Sequence, residues 1–360
     1  MKRSGTIFLI FFILLTFAPI PVFYLFREQI GYKNTENKAA ADFPDLTAQN
    51  FTSWPRRFEE WLSDTLPFKT QFIELFRGFQ FHSGLDFIQS DVIRGKDDIL
   101  FYRKTVDNYK GLSRFSDDEL GTITNNLYEF FSYMESNGTK CMLYIAPDKE
   151  QVYDSFMPDH IRRVSTESRA DQLTAYLEEH LPWPVLYPKT ELQNRLADYP
   201  IYFSTDTHWN NIGGWFAAKQ VKAAFSGTAE PDPDPEYYFY ESLGKDLAGM
   251  LGLSEQMPEN NAAEMVFHDG LGIYKTQTIN YGNLQRFTND DPHSEQHKKL
   301  LVIGDSFSEY FIRSAIHDIK DILFITYGDL YLTDLDAEKP DYLVVMLVER
   351  NLPFLLESFR

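Results

Sequence analysis

The chain has a single cysteine, Cys141, among 360 residues. Neither a disulfide framework nor a cysteine-rich metal site can be built from one thiol. Basic residues are also scarce: 34 Lys and Arg stand against 53 Asp and Glu, a formal net charge of −19. A nucleic-acid partner needs a basic face to replace phosphate counterions, and an anionic lipid surface attracts only the same sign of charge, so both are excluded as general partners. No internal repeat or low-complexity tract runs along the chain, which leaves out solenoids and biased linkers. What is plentiful is apolar and aromatic. Hydrophobic residues make up 43%, with 31 Phe and 21 Tyr, too many for a disordered chain and enough to fill a sizeable core.

One long uncharged run stands out near the start. Lys2 and Arg3 precede Thr6–Phe26, 21 residues closed by Arg27 and Glu28. As a helix rising 1.5 Å per residue this run would measure about 30 Å, the hydrocarbon thickness of a bilayer. A basic pair ahead of the run holds that end in the cytoplasm. The reading is therefore an uncleaved transmembrane anchor over 1–27, with everything after Arg27 extracytoplasmic (periplasm or outer face of the inner membrane). The alternative is a signal peptide removed near Ala39-Ala40-Ala41. Residues 28–53 read as a linker and 54–360 as one working domain, with 226–298 as an insertion. Within that insertion Pro231-Asp232-Pro233-Asp234-Pro235 is a stiff loop, and residues 231–270 carry nine acids against Lys245 alone, a solvated surface.

Trp54-Pro55 opens a helix with Trp54, Phe58, Trp61 and Leu62 at helical spacing, interrupted by Pro67, after which Phe72, Ile73, Leu75 and Phe76 continue the stripe. Ser116 with Glu119 forms a capping box ahead of Leu120, Ile123, Leu127, Phe130 and Met134, which share one helical face. Further helices are expected over 166–179 and 211–225. Cys141–Ala146, Val185–Tyr187, Leu300–Ile303, Ile322–Ile325 and Tyr342–Val348 are short apolar runs separated by these helical patterns. Such alternation predicts an α/β fold: a parallel sheet flanked by helices on both faces.

Two short segments carry the chemistry. Leu300–Phe307 reads LLVIGDSF, an apolar strand leading through Gly304 and Asp305 to Ser306. The carboxyl end of a parallel strand faces the ligand crevice, and a serine at the start of the next helix has its own N–H and the positive helix end beside it. Position 308 is serine rather than glycine, so the G-x-S-x-G elbow of standard α/β-hydrolases is not formed. The second segment is Ser204-Thr205-Asp206-Thr207-His208-Trp209-Asn210. Asp206 and His208, two apart on a loop, allow the carboxylate to fix one imidazole nitrogen while the other stays free as a base. Trp209 beside the ring implies a packed, partly dry site. Lys149 and Arg350 follow strand ends and can face the same cleft, as can Asp305. His293-Ser294-Glu295-Gln296-His297 lacks the spacing of a zinc helix. His82, His160, His180, His268 and His317 have no acidic or cysteine partners at ligand spacing, so no metal and no cofactor is expected.

Asp206-Thr207-His208-Trp209, Gly304-Asp305-Ser306-Phe307 and Ala146-Pro147-Asp148-Lys149 together resemble the SGNH hydrolase-like domain of the alginate O-acetyltransferase family. Phe43-Pro44 with Phe58, Trp61, Asp64 and Phe68, and Gly244-Lys245-Asp246-Leu247, are similar to further stretches of that family; the likeness covers roughly residues 40–355. Asp–His precedes Ser here, the reverse of ordinary SGNH esterases, which implies a permuted order of motifs on the same sheet. The resemblance implies Ser306 as nucleophile, His208 as base and Asp206 as its orienter, and Lys149 and Arg350 match positions near the family's cleft; Trp209 and Asp305 are the further candidates for substrate binding. It implies acetyl transfer to an exported polysaccharide, with a membrane-bound O-acyltransferase handing over the acetyl group. Some members carry a carbohydrate-binding module after this domain; here polymer binding is expected to fall to the domain itself. An acetylesterase using the same three residues, and a non-catalytic polysaccharide-binding scaffold, are the alternatives.

Overall fold

The computed structural model describes residues 3–18, 21–22, 25, 42–47, 49–65, 68–227, 234–267, 275–279, 283–289 and 298–359. Ala39-Ala40-Ala41, most of the 28–53 linker, Pro67, Pro231–Pro233, His268 and His293–His297 lie outside these residues. The chain divides into two compact units, residues 1–90 with 248–256 and residues 91–247 with 257–360.

The first unit contains α1 (Arg3–Phe17), α2 (Trp54–Thr65) and α3 (Lys69–His82). The N-terminal run does not form the expected spanning helix. Among the described residues no helix is long and apolar enough to cross a membrane. Helix α1 has 15 residues, about 22 Å at 1.5 Å each. It stops two residues short of Pro19 in the sequence, and a residue before proline is pushed out of the α region. Helix α2 is held by aromatic packing: Trp54 stacks on Phe58 at 4.8 Å between ring centroids, and Trp61 meets Phe43 edge-on at 4.8 Å. Trp54 Nε1 also donates to the Pro44 carbonyl at 2.8 Å.

The second unit opens with a hairpin of β1 (Val92–Arg94) and β2 (Leu100–Tyr102). It is organised around seven strands: β3 (Lys140–Ala146), β4 (Val185–Leu186), β7 (Lys275–Ile279), β8 (Leu284–Thr288), β9 (Lys299–Gly304), β10 (Asp321–Thr326) and β11 (Tyr342–Val348), with β5 (Tyr237–Phe239) and β6 (Ala263–Met265) forming a separate pair. Spatial order is β4-β3-β11-β9-β10-β8-β7. The first five are parallel, as expected; β8 and β7, inside the 226–298 stretch read as an insertion, add an antiparallel end to the same sheet. The central strands are apolar through their middles because both faces are covered. Met142, Tyr144, Val302, Val344 and Met346 point to one core, closed by α6 (Asn211–Ser226) and α7 (Ser308–Ala315). Leu143, Ile145, Leu301, Ile303, Val345 and Leu347 point to the other, closed by α4 (Asp117–Ser136) and α5 (Arg169–His180). Helix α4 carries the Ser116–Glu119 capping box and buries Leu120, Ile123, Leu127, Phe130 and Met134. Each such side chain contributes about 1.5–3 kcal/mol by leaving water.

Candidate active site

The crevice forms where β3, β9 and β11 release their chains at the carboxyl edge of the sheet. Strand β9 ends at Gly304, and the chain turns through Asp305-Ser306-Phe307 into α7. The glycine is required by a close approach: a Cβ there would sit 2.4 Å from the Met346 carbonyl oxygen and 2.3 Å from Ser308 Oγ. Asp305 fixes the turn, its Oδ1 accepting from the Phe307 N–H at 3.0 Å and its Oδ2 from the Val348 N–H and Asn351 Nδ2, both at 2.8 Å. Its carboxylate is thus bound to protein donors of its own turn and of the β11 end, a positioning arrangement rather than the substrate contact expected. Ser306 itself is exposed.

The 203–210 loop brings the second half. Its exit is capped by Asn210, whose Oδ1 accepts from the Ile212 and Gly213 N–H groups at the start of α6. His208 Nδ1 lies 2.8 Å from Asp206 Oδ1, and His208 Nε2 lies 2.7 Å from Ser306 Oγ. With Nδ1–H donating to the carboxylate, Nε2 is left to accept the serine proton. Asp206 is 4% exposed. Burial works to raise its pKa, but hydrogen bonds from the His208 ring and from the amides of His208 and Thr207 more than offset this and hold the carboxyl below its ordinary value. Ser306, His208 and Asp206 therefore stand in one hydrogen-bonded line across two loops 98 positions apart.

Several residues expected at the cleft sit beneath it. Trp209 is fully buried, donates from Nε1 to the Phe307 carbonyl at 2.9 Å and packs on Phe307 at 5.2 Å between ring centroids, so it ties the histidine loop to the serine loop. Lys149 is buried too, its ammonium donating to the carbonyls of Leu100 (2.7 Å), Ser204 (2.9 Å) and Asp206 (3.1 Å). Arg350 donates to Asp148 Oδ1 at 2.9 Å and to Thr207 Oγ1 at 3.3 Å, and lies over the Phe307 ring. Arg350 and Asp305 are half-buried, whereas Trp209 and Lys149 are buried, and all four are held by contacts within the protein.

Sequence reasoning missed Glu259. This buried carboxylate accepts the N–H and hydroxyl of both Ser204 and Thr205 at 2.6–2.8 Å, and the Asn261 N–H at 2.8 Å. One glutamate in an acid-rich stretch gave no local signal of that task. Asp206, His208 and Asp246 come close enough to share a metal ion. Both His208 nitrogens are already hydrogen-bonded within the protein, so the grouping reads as charges around a base.

A family model described as "SGNH hydrolase-like domain, acetyltransferase AlgX" matches residues 92–312. The probable alginate O-acetylase AlgJ of Pseudomonas syringae pv. tomato is 24% identical over 196 residues, 53% of this chain and 47% of that protein. The chain thus aligns with about half the length of this curated relative. PatB1 of Bacillus cereus, solved with a sulfonyl adduct, superposes with a TM-score of 0.53 at 12% identity, covering 75% of this chain and 99% of that one. A DHHW family protein from Eubacterium siraeum gives 0.52 at 11% identity, covering 76% and 98%. At these identities the structural likenesses concern the fold.

Proposed function

Because the chain belongs to the family of AlgX-type SGNH hydrolase-like acetyltransferase domains, we propose that it is an O-acetyltransferase that carries acetyl on Ser306 and delivers it to hydroxyls of an exported polysaccharide. The observation that carries this reading is the unbroken line from Ser306 Oγ to His208 Nε2 (2.7 Å) and from His208 Nδ1 to Asp206 Oδ1 (2.8 Å). His208 takes the Ser306 proton as Oγ attacks the acetyl carbonyl of the donor, then returns it to the leaving group, which departs and leaves acetyl-serine. The acceptor hydroxyl gives its proton to His208 Nε2, attacks the acyl carbon, and the proton passes back to Ser306 Oγ as the new ester leaves. The Ser306 N–H, just ahead of α7, is a donor suited to the oxyanion. Asp206, kept ionised by its hydrogen bonds, holds the ring in the productive tautomer.

Action outside the cytoplasm belongs to the same reading. It is supported by the apolar helix Arg3–Phe17, which suits an export signal. Acetyl-CoA would then be out of reach, and the donor would be a membrane-bound O-acyltransferase that passes acetyl across the bilayer. Ser306 is exposed, so water is a competing acceptor and the esterase reading rests on that one feature.

One experiment tests the assignment. The protein is incubated with an aryl acetate and an acetyl-free oligosaccharide; acetyl-serine is sought by peptide mass spectrometry and acetylated sugar by chromatography. We expect the acetyl group on the peptide containing Ser306, transfer to sugar above the rate of release to water, and loss of both by about 10³-fold or more in Ser306→Ala. An undiminished rate in that variant, or acetyl found only as free acetate, defeats the transferase reading.

A further inference from the structure

The Gly244-Lys245-Asp246-Leu247 segment has no part in the mechanism above, yet it is clamped to the loop that carries Asp206 and His208. The Lys245 N–H donates to Thr205 Oγ1 at 3.0 Å, and the Leu247 N–H donates to the Thr205 carbonyl at 3.0 Å. Thr205 in turn gives its own N–H and hydroxyl to the buried Glu259. Asp246 is therefore held between two anchored neighbours. One of its carboxylate oxygens lies within 4.8 Å of a His208 ring nitrogen and of an Asp206 oxygen. Partial loss of solvent on the side facing the loop, and the Asp206 charge, hold the Asp246 carboxyl above its ordinary value, against the pull of His208 and Lys245. Two carboxylates flanking a neutral imidazole repel each other. The same two carboxylates around an imidazolium attract it, and an imidazolium is what forms when Ser306 gives up its proton.

We propose that Asp246 is a positioning residue that supplies a second negative charge to His208, so that Asp206 and Asp246 bracket the imidazolium formed as Ser306 attacks. This rests on the reading of Ser306 as the acyl carrier. The other ionisable groups facing this loop have partners of their own. Arg350 reaches it through Thr207 and is paired with Asp148, and Lys149 donates to three carbonyls. Lys245 lies over the Phe203 ring, and the Tyr310 ring lies 6.3 Å from the imidazole between centroids, its phenol held well above its ordinary pKa by burial. Asp246 is exposed, so asparagine there leaves the core untouched.

The test is the pH profile of kcat/KM for acetyl release from an aryl acetate by the full chain, compared with Asp246→Asn and Asp246→Glu. Asparagine should lower the plateau by about tenfold and move the acidic limb about half a pH unit lower, because a base that loses a nearby anion sheds its proton more readily. Glutamate keeps the charge and should return the limb toward wild type. Inactivation by a sulfonyl fluoride should follow the same limbs and provides a second readout. A limb in Asp246→Asn that superimposes on wild type, or equal displacement by Asn and Glu, overturns the proposal. Ser306→Ala separates the two readings. Full activity there overturns the acyl-serine reading, whereas lost activity with an unmoved Asp246→Asn limb overturns only the second charge.

Discussion

The ammonium of Lys149 is held by three main-chain carbonyls, two of them in the loop that carries Asp206. Burial drives its pKa from 10.5 down toward about 7, against the pull of the Glu259, Asp206 and Glu150 charges. In the window from about 7 to 10.5 the unfolded chain keeps a proton that the folded chain tends to shed. Lys149 therefore makes the fold gain stability as pH rises through that window. Lys149→Met should flatten that part of the curve of Tm against pH. It should also leave three carbonyls without their donor and cost about 3 kcal/mol at neutral pH, read from urea unfolding. Acetyl release should fall with it, since the Asp206 carbonyl would lose its tether.

At the scale of elements, the two helices that close the first core meet at Gly214 of α6, where a Cβ would come 2.2 Å from the Tyr310 carbonyl oxygen of α7. Gly214→Ala must push α7 away and should cost about 1–3 kcal/mol, seen as a lower Tm, with reduced acetyl release because α7 follows directly on Ser306. This contact was invisible in the sequence, which shows that Gly213-Gly214 sits in a helix and nothing of what crosses it. The strands were legible for the opposite reason. Cys141–Ala146, Leu300–Ile303 and Tyr342–Val348 are apolar without alternation because both faces are covered, so each declares itself within a few residues. Strands β7 and β8 read KTQTI and LQRFT, mostly polar, at the antiparallel end of the sheet, and gave no such signal. The same division runs through the site. Ser306 and His208 were legible because a strand end and a D-x-H pair are local patterns. Lys149, Trp209 and Asp305 were singled out, but their contacts lie under the crevice. Glu259 holds Ser204 across 55 positions and Asp246 approaches Asp206 and His208 from a separate stretch of chain, and only the folded register brings them there.

For the molecule as a whole, the formal net charge of −19 sets a long-range field against any polyanionic acceptor, and salt screens that field over about 10 Å at 0.1 M. Transfer to a polyuronate oligomer should therefore speed up severalfold between low and moderate salt, while transfer to a neutral oligosaccharide stays level; initial rates at two ionic strengths check this. The single thiol, Cys141, is buried in β3, and burial pushes its pKa up to about 12. In the native fold it is closed to alkylating reagents. A cysteine placed by substitution anywhere on the surface would consequently be the molecule's sole reactive handle. Fluorescent or spin labels could report on the crevice without first stripping out a competing sulfhydryl.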